Sequence, residues 1–88
     1  LKQIQLKIPD DSHGLHARPA SVFVKAASLF PCEISVVRDE VTVNGKSILG
    51  LMMLALGPGA DFEIIAEGDR EEDAINKLKS LVENNFRD

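Results

Sequence analysis

The sequence has no tryptophan and no tyrosine, and its only aromatic residues with six-membered rings are four phenylalanines. Any core must therefore be built from aliphatic side chains around those four rings. Cys32 is the single cysteine, which excludes an internal disulfide and fits a reducing compartment such as the cytoplasm. No apolar run approaches the ~20 residues that a membrane span requires, so no membrane insertion is expected. The start carries no signal-peptide pattern. There is no Lys/Arg block, and the net charge is −4, which argues against a nucleic-acid partner. Any anion site must then be assembled locally, against the overall charge. The chain starts at Leu1 without an initiator Met, as expected of a processed chain or of one cut from a longer polypeptide.

What is present has the pattern of a folded domain. Hydrophobic residues are 44% and charged residues 27% of the chain, a balance ordinary for a globular protein. The 88 residues allow one small domain, expected over 1–88. Residues 3–8 alternate polar and apolar and predict a half-buried strand with Ile4, Leu6 and Ile8 inward. From Pro19 the period changes: Val22, Phe23, Ala26, Ala27 and Phe30 share one helical face, and Pro31 ends the run. Residues 33–38 and 41–43 are β-branched and predict two strands joined at Asp39-Glu40.

Asn44-Gly45 then leads into a predicted helix over 46–56, capped by Ser47 and stopped by Gly57-Pro58-Gly59. Gly50 inside it implies a packing or contact reason, since glycine costs about 1 kcal/mol there. Residues 61–67 predict another strand. Asp69 and Glu72 form an approximate capping pair before a final amphipathic helix to about residue 84. The order is β-α-β-β-α-β-α, which predicts an α+β fold with the helices on one face of an antiparallel sheet.

The segment that carries chemistry is GLHARPA at 14–20, where a loop becomes a helix. Such a junction normally has Ser, Thr, Asp or Asn at the cap. Here His16, Ala17 and Arg18 precede Pro19, and none offers a side-chain oxygen. The N–H groups of Ala17 and Arg18 are thus left for an anion, at a helix end that carries roughly +0.5 of a charge. Arg18 adds a fixed cation matched to phosphate geometry. His16 places an imidazole beside both, and a neutral imidazole nitrogen is a nucleophile near pH 7. Gly14 leaves room for an incoming group. A nucleophile, an oxyanion cradle and a positive charge within a few residues are what a transferable phosphoryl group needs. His13 and His16 lie three apart, but no third ligand completes a metal site, so neither metal nor cofactor is expected.

GLHARPA resembles the active-centre signature of HPr, the histidine-containing phosphocarrier family of the bacterial phosphoenolpyruvate-dependent sugar phosphotransferase system. Lys46-Ser47-Ile48 with Gly50 resembles the family's regulatory-serine segment, at family-like spacing. The resemblance covers nearly the whole chain. It implies an open-faced β-sandwich with four antiparallel strands and three helices on one face. It also implies a phosphoryl acceptor at His16, on Nδ1, steadied by Arg18 and the backbone of Ala17 and Arg18. The donor would be enzyme I, and the acceptors the A components of sugar-specific enzyme II complexes. Ser47 would be a regulatory phosphorylation point, which brings in HPr kinase/phosphorylase and a transcriptional regulator as partners. Ser21 and Lys25 on the first helix and Ile48, Leu49 and Met52 on the second would form the docking surface. Ala55 departs from the family, where many members have glycine.

Three other readings compete. A regulatory binding module of the same fold would act through phospho-Ser47 without relaying phosphate; in relatives built that way the active histidine is replaced, and here His16 and Arg18 are present. The chain could also be one segment of a multidomain phosphotransfer protein. An independent enzyme is disfavoured, because there is one candidate nucleophile and no second acid-base group. Cys32 reads as a small, inert, partly buried side chain, and Glu71, Glu72 and Asp73 as complements to a helix dipole.

Overall fold

The computed structural model describes residues 1–12 and 14–87. Its elements are β1 (Lys2–Lys7), α1 (Ala17–Ala27), β2 (Glu33–Arg38), β3 (Val41–Asn44), α2 (Ile48–Met53), β4 (Asp61–Glu67) and α3 (Glu71–Glu83). The strands form one antiparallel sheet in the order β1-β4-β2-β3. The register places Ile4 opposite Ile64, Ile64 opposite Val36 and Val36 opposite Val43. Side chains alternate between faces along a strand, so this row runs across the sheet on one side. The three helices cover that side, and the other face stays open, as expected of the open-faced sandwich.

All four phenylalanines, Phe23, Phe30, Phe62 and Phe86, lie in the core. With no Trp or Tyr, each of these rings carries an unusual share of the apolar burial, gross about 1.5–3 kcal/mol apiece. Among the described residues no polar or charged side chain is buried, so the core has no interior ion pair or polar network to satisfy. Cys32 is more enclosed than its sequence position implies, at 2% exposure, because Gly68 packs its backbone directly over it.

Two boundaries differ from the sequence expectation. The second helix spans only Ile48–Met53, with Leu54 as its cap, rather than 46–56. It stops because Ala55 adopts φ +51, the left-handed conformation that ends helices; Gly57-Pro58-Gly59 lies beyond the stop. Arg38, at the end of β2, holds this exit by donating from Nη1 to the carbonyls of Leu54 (2.9 Å) and Ala55 (2.7 Å).

The entry to α3 also differs. Asp69 and Glu72 do not form a capping pair: the cap position is Arg70, at φ 63, with no side-chain cap. Glu71 instead turns back, accepting from the Gly68 N–H (2.9 Å) and pairing with the Leu1 ammonium (2.6 Å). That ammonium, and then the Gly68 N–H, hold the Glu71 carboxyl below the ordinary carboxylate range.

Candidate functional site

His16 is the cap residue of α1, with an extended backbone (φ −97, ψ −165) and no side-chain cap bond. Its position is fixed from both sides. Leu15 before it is buried and donates its N–H to Leu56 O (2.7 Å). Ala20 after it is buried and closes the first helical bond onto His16 O (2.9 Å). Between these anchors His16, Ala17 and Arg18 stand exposed. Pro19 occupies the first turn, where its missing N–H costs no helical bond. The first turn of α1 holds no acidic residue, although carboxylates are favoured at that end of a helix. Among the described residues, neither the His16 ring nor the Arg18 guanidinium has a hydrogen-bond or ion-pair partner.

Gly14 has a different role from the one its sequence position implies. It is buried at φ +87, and an added Cβ would lie 2.9 Å from Leu56 O and 3.1 Å from Gly57 Cα. The glycine lets the loop before α1 pack against the segment that follows α2; it does not open space for a visiting group. His13 lies outside the described residues. Among the described residues no three His, Cys, Asp or Glu side chains gather as a metal site, and no helix is long and apolar enough to cross a membrane.

A cleft of about 540 Å³ opens beside His16, walled by Arg18, Pro19, Val22, Asn85, Phe86 and Arg87. A second, containing His16, Asp11, Ser12 and Gly14, shares Pro19, Asn85 and Arg87 with it. The contribution of residues 85–87 is not legible in the sequence, where the last helix simply runs out near residue 84. The one available signal was Phe86, an apolar residue placed after a polar pair.

Ser47 caps α2: its Oγ accepts from the Gly50 N–H at 3.0 Å. Gly50 has the contact reason its position implied, since a Cβ there would meet Ser47 Oγ and Val43 Cβ at 3.3 Å each. Asn44 shapes the entry, with its Oδ1 accepting from Lys46 N–H (2.9 Å) and its carbonyl from Ser47 N–H (3.1 Å). The helix buries Leu51 and, just past its end, Leu54 and Leu56. Ile48, Leu49 and Met52 are exposed, and so is Met53, at 71% like Leu49. On α1, which packs against α2, Lys25 is exposed and Ser21 half-buried. Among the described residues, an exposed imidazole at an uncapped helix start thus sits on one helix and an unpartnered apolar face on its neighbour.

The family model described as the PTS HPr component phosphorylation site matches residues 3–84. The chain belongs to the HPr family. It is 44% identical to the phosphocarrier protein HPr of Treponema pallidum over 75 residues, 85% of each chain. It is 43% identical to the HPr-like protein Crh of Halalkalibacterium halodurans over 82 residues, covering 93% of this chain and 94% of that one. The crystal structure of HPr-C-His from Thermoanaerobacter tengcongensis superposes with a TM-score of 0.93 at 44% identity, over 98% of this chain and 96% of the other. The order β-α-β-β-α-β-α and the four-stranded open sheet are those of HPr. HPr proteins are phosphocarriers of the phosphotransferase system, and the uncapped helix start at His16 lies within the matched segment.

Proposed function

We propose that residues 1–88 act as one cytoplasmic phosphocarrier domain, with His16 as the acceptor. The observation that carries this reading is the start of α1. An exposed imidazole stands at the cap position, where no side-chain oxygen satisfies the helix, no carboxylate occupies the first turn and Arg18 is unpaired among the described residues.

The chemistry follows from that arrangement. A neutral ring nitrogen, Nδ1 by family resemblance, attacks the phosphorus of phospho-enzyme I. The N–P bond forms as the bond from phosphorus to the donor breaks, and the electron pair leaves with enzyme I. The Ala17 and Arg18 N–H groups and the Arg18 guanidinium receive the phosphoryl oxygens, the charge-assisted contacts that phosphate favours. The reverse sequence delivers the group to an enzyme II A component. The chain changes state in each transfer and completes no turnover alone, so it is a carrier and not an enzyme. Ser21, Lys25, Ile48, Leu49 and Met52 form the docking surface in this reading. Ser47 is its regulatory phosphorylation point, written by HPr kinase/phosphorylase and read by a transcriptional regulator.

Incubation with enzyme I and phosphoenolpyruvate, followed by mapping of the label, tests the assignment. The label should fall on His16 and be stable in alkali but labile in acid, because protonation makes imidazole a good leaving group. His16→Ala should remove it while leaving the fold intact. A label on His13, or one that survives in His16→Ala, refutes the assignment.

The similarity to Crh supports a second reading, a module that signals through phospho-Ser47 and relays nothing. The same incubation separates the two: a regulatory module takes no phosphate from enzyme I but is modified at Ser47 by the kinase.

A further inference from the structure

The cleft beside His16 has a wall that the reading above leaves unused. After α3 the chain turns back: Phe86 N–H donates to Leu81 O (2.8 Å) and Arg87 N–H to Asn84 O (3.2 Å). Phe86 is buried in the core, and Asn85 Nδ2 donates to Asp11 Oδ1 (3.2 Å). Asn85 and Phe86 both take positive φ, 58 and 62, a conformation side chains rarely adopt. The buried ring and the Asp11 tether hold them there. Arg87 is what this turn delivers. It lines the cleft formed by His16 and Arg18, and it lines the adjoining one with His16 as well. Its side chain is exposed and has no ion-pair partner among the described residues. Among the described residues the first cleft is walled by two arginines and a histidine and by no carboxylate, while the adjoining one includes Asp11, in a chain with 14 acidic and 10 basic residues. Positive charge gathered locally in a negative molecule favours a dianionic group at that place.

The geometry points to Arg87 as a second phosphoryl-binding cation, reaching the group on His16 from the exit of α3 while Arg18 reaches it from α1. This inference rests on His16 being the acceptor.

Phosphoramidate, a donor with no protein surface, tests it free of any docking effect. The imidazole lone pair forms the N–P bond, the donor's own P–N bond breaks, and its electron pair leaves with ammonia; the other ring nitrogen keeps its proton. Arg87→Ala should slow labelling of His16 by about three- to tenfold at low salt, with a smaller deficit at high salt and an unchanged melting temperature. Arg70→Ala removes the same charge outside the cleft and should label at the wild-type rate. Equal rates for wild type and Arg87→Ala, or an equal deficit in Arg70→Ala, overturn the inference. A wild-type label that maps away from His16 overturns the acceptor assignment itself, a result distinct from a null Arg87 effect.

Discussion

Replacing Ala55 with glycine should stabilise the protein, by an amount that the structure sets. Ala55 is exposed and sits at φ +51 immediately after the cap of α2. A Cβ in that conformation costs roughly 1–2 kcal/mol. The methyl group is in solvent, so removing it forfeits little burial. The opposing effect is in the unfolded chain, where glycine adds freedom worth about 0.4–1 kcal/mol. The net gain is about 0.5–1 kcal/mol. In a domain of this size 1 kcal/mol moves Tm by about 4–8 °C, so the midpoint should rise by about 2–8 °C. The backbone bonds at this position, Ala55 N–H to Met52 O (3.2 Å) and Arg38 Nη1 to Ala55 O (2.7 Å), do not involve the methyl group and persist in the variant. Scanning calorimetry with a parallel urea titration measures the change, and the urea slope should stay constant. An unchanged or lower midpoint at constant slope would refute the argument, because it would mean that the left-handed alanine stores no recoverable strain.

Arg18→Ala should slow transfer to His16 by roughly ten- to hundredfold, from the loss of a charged hydrogen bond worth about 1.5–3 kcal/mol. Its melting temperature should barely move, because Arg18 is exposed; single-turnover labelling with enzyme I alongside thermal melts checks both halves. Ser47→Asp should keep the cap that Ser47 Oγ now gives Gly50 N–H, and with it the thermal stability. It should also weaken enzyme I binding, because it puts a charge beside the exposed Ile48, Leu49 and Met52. Calorimetric titration should show that loss and leave Lys79→Asp, on α3, close to wild type; equal affinities would reduce Ser47 to a helix cap.

Much of the fold was legible because its signals are local. The alternation in β1, the β-branched runs of β2 and β3 and the apolar stripe of α1 are each signals carried within a few neighbouring residues. The loss of a side-chain cap at His16 could likewise be read from residue types alone. What could not be read depends on contacts between distant segments. The apolar run 48–56 has no periodic break at Met53; it stops where Ala55 turns left-handed and Arg38, 16 residues before Leu54, binds the freed carbonyls. Gly14 looked like open space, and only the approach of Leu56 and Gly57 reveals a packing constraint. Arg87 is one more charged residue in a polar tail until Phe86 is seen in the core. The weak Asp69/Glu72 pair failed for a related reason: Gly68 turns the chain so that Glu71 meets the free N–H first.

The whole molecule exposes 5103 Å². A stable protein interface takes about 800 Å² from each partner, about a sixth of that surface. With His16 as the proposed acceptor, every such interface has to include the start of α1, and in the docking reading proposed above it spills onto the apolar face of α2. Donor and acceptor then occupy the same ground, and no ternary complex can form around the phosphoryl group. Flux is limited by departure as much as by arrival. With association at about 10⁶–10⁷ M⁻¹s⁻¹, a partner must be held at only about 10 μM to leave 10–100 times per second. A patch of four exposed apolar side chains, with its polar surroundings left wet, suits brief occupancy of that kind better than a larger and drier one.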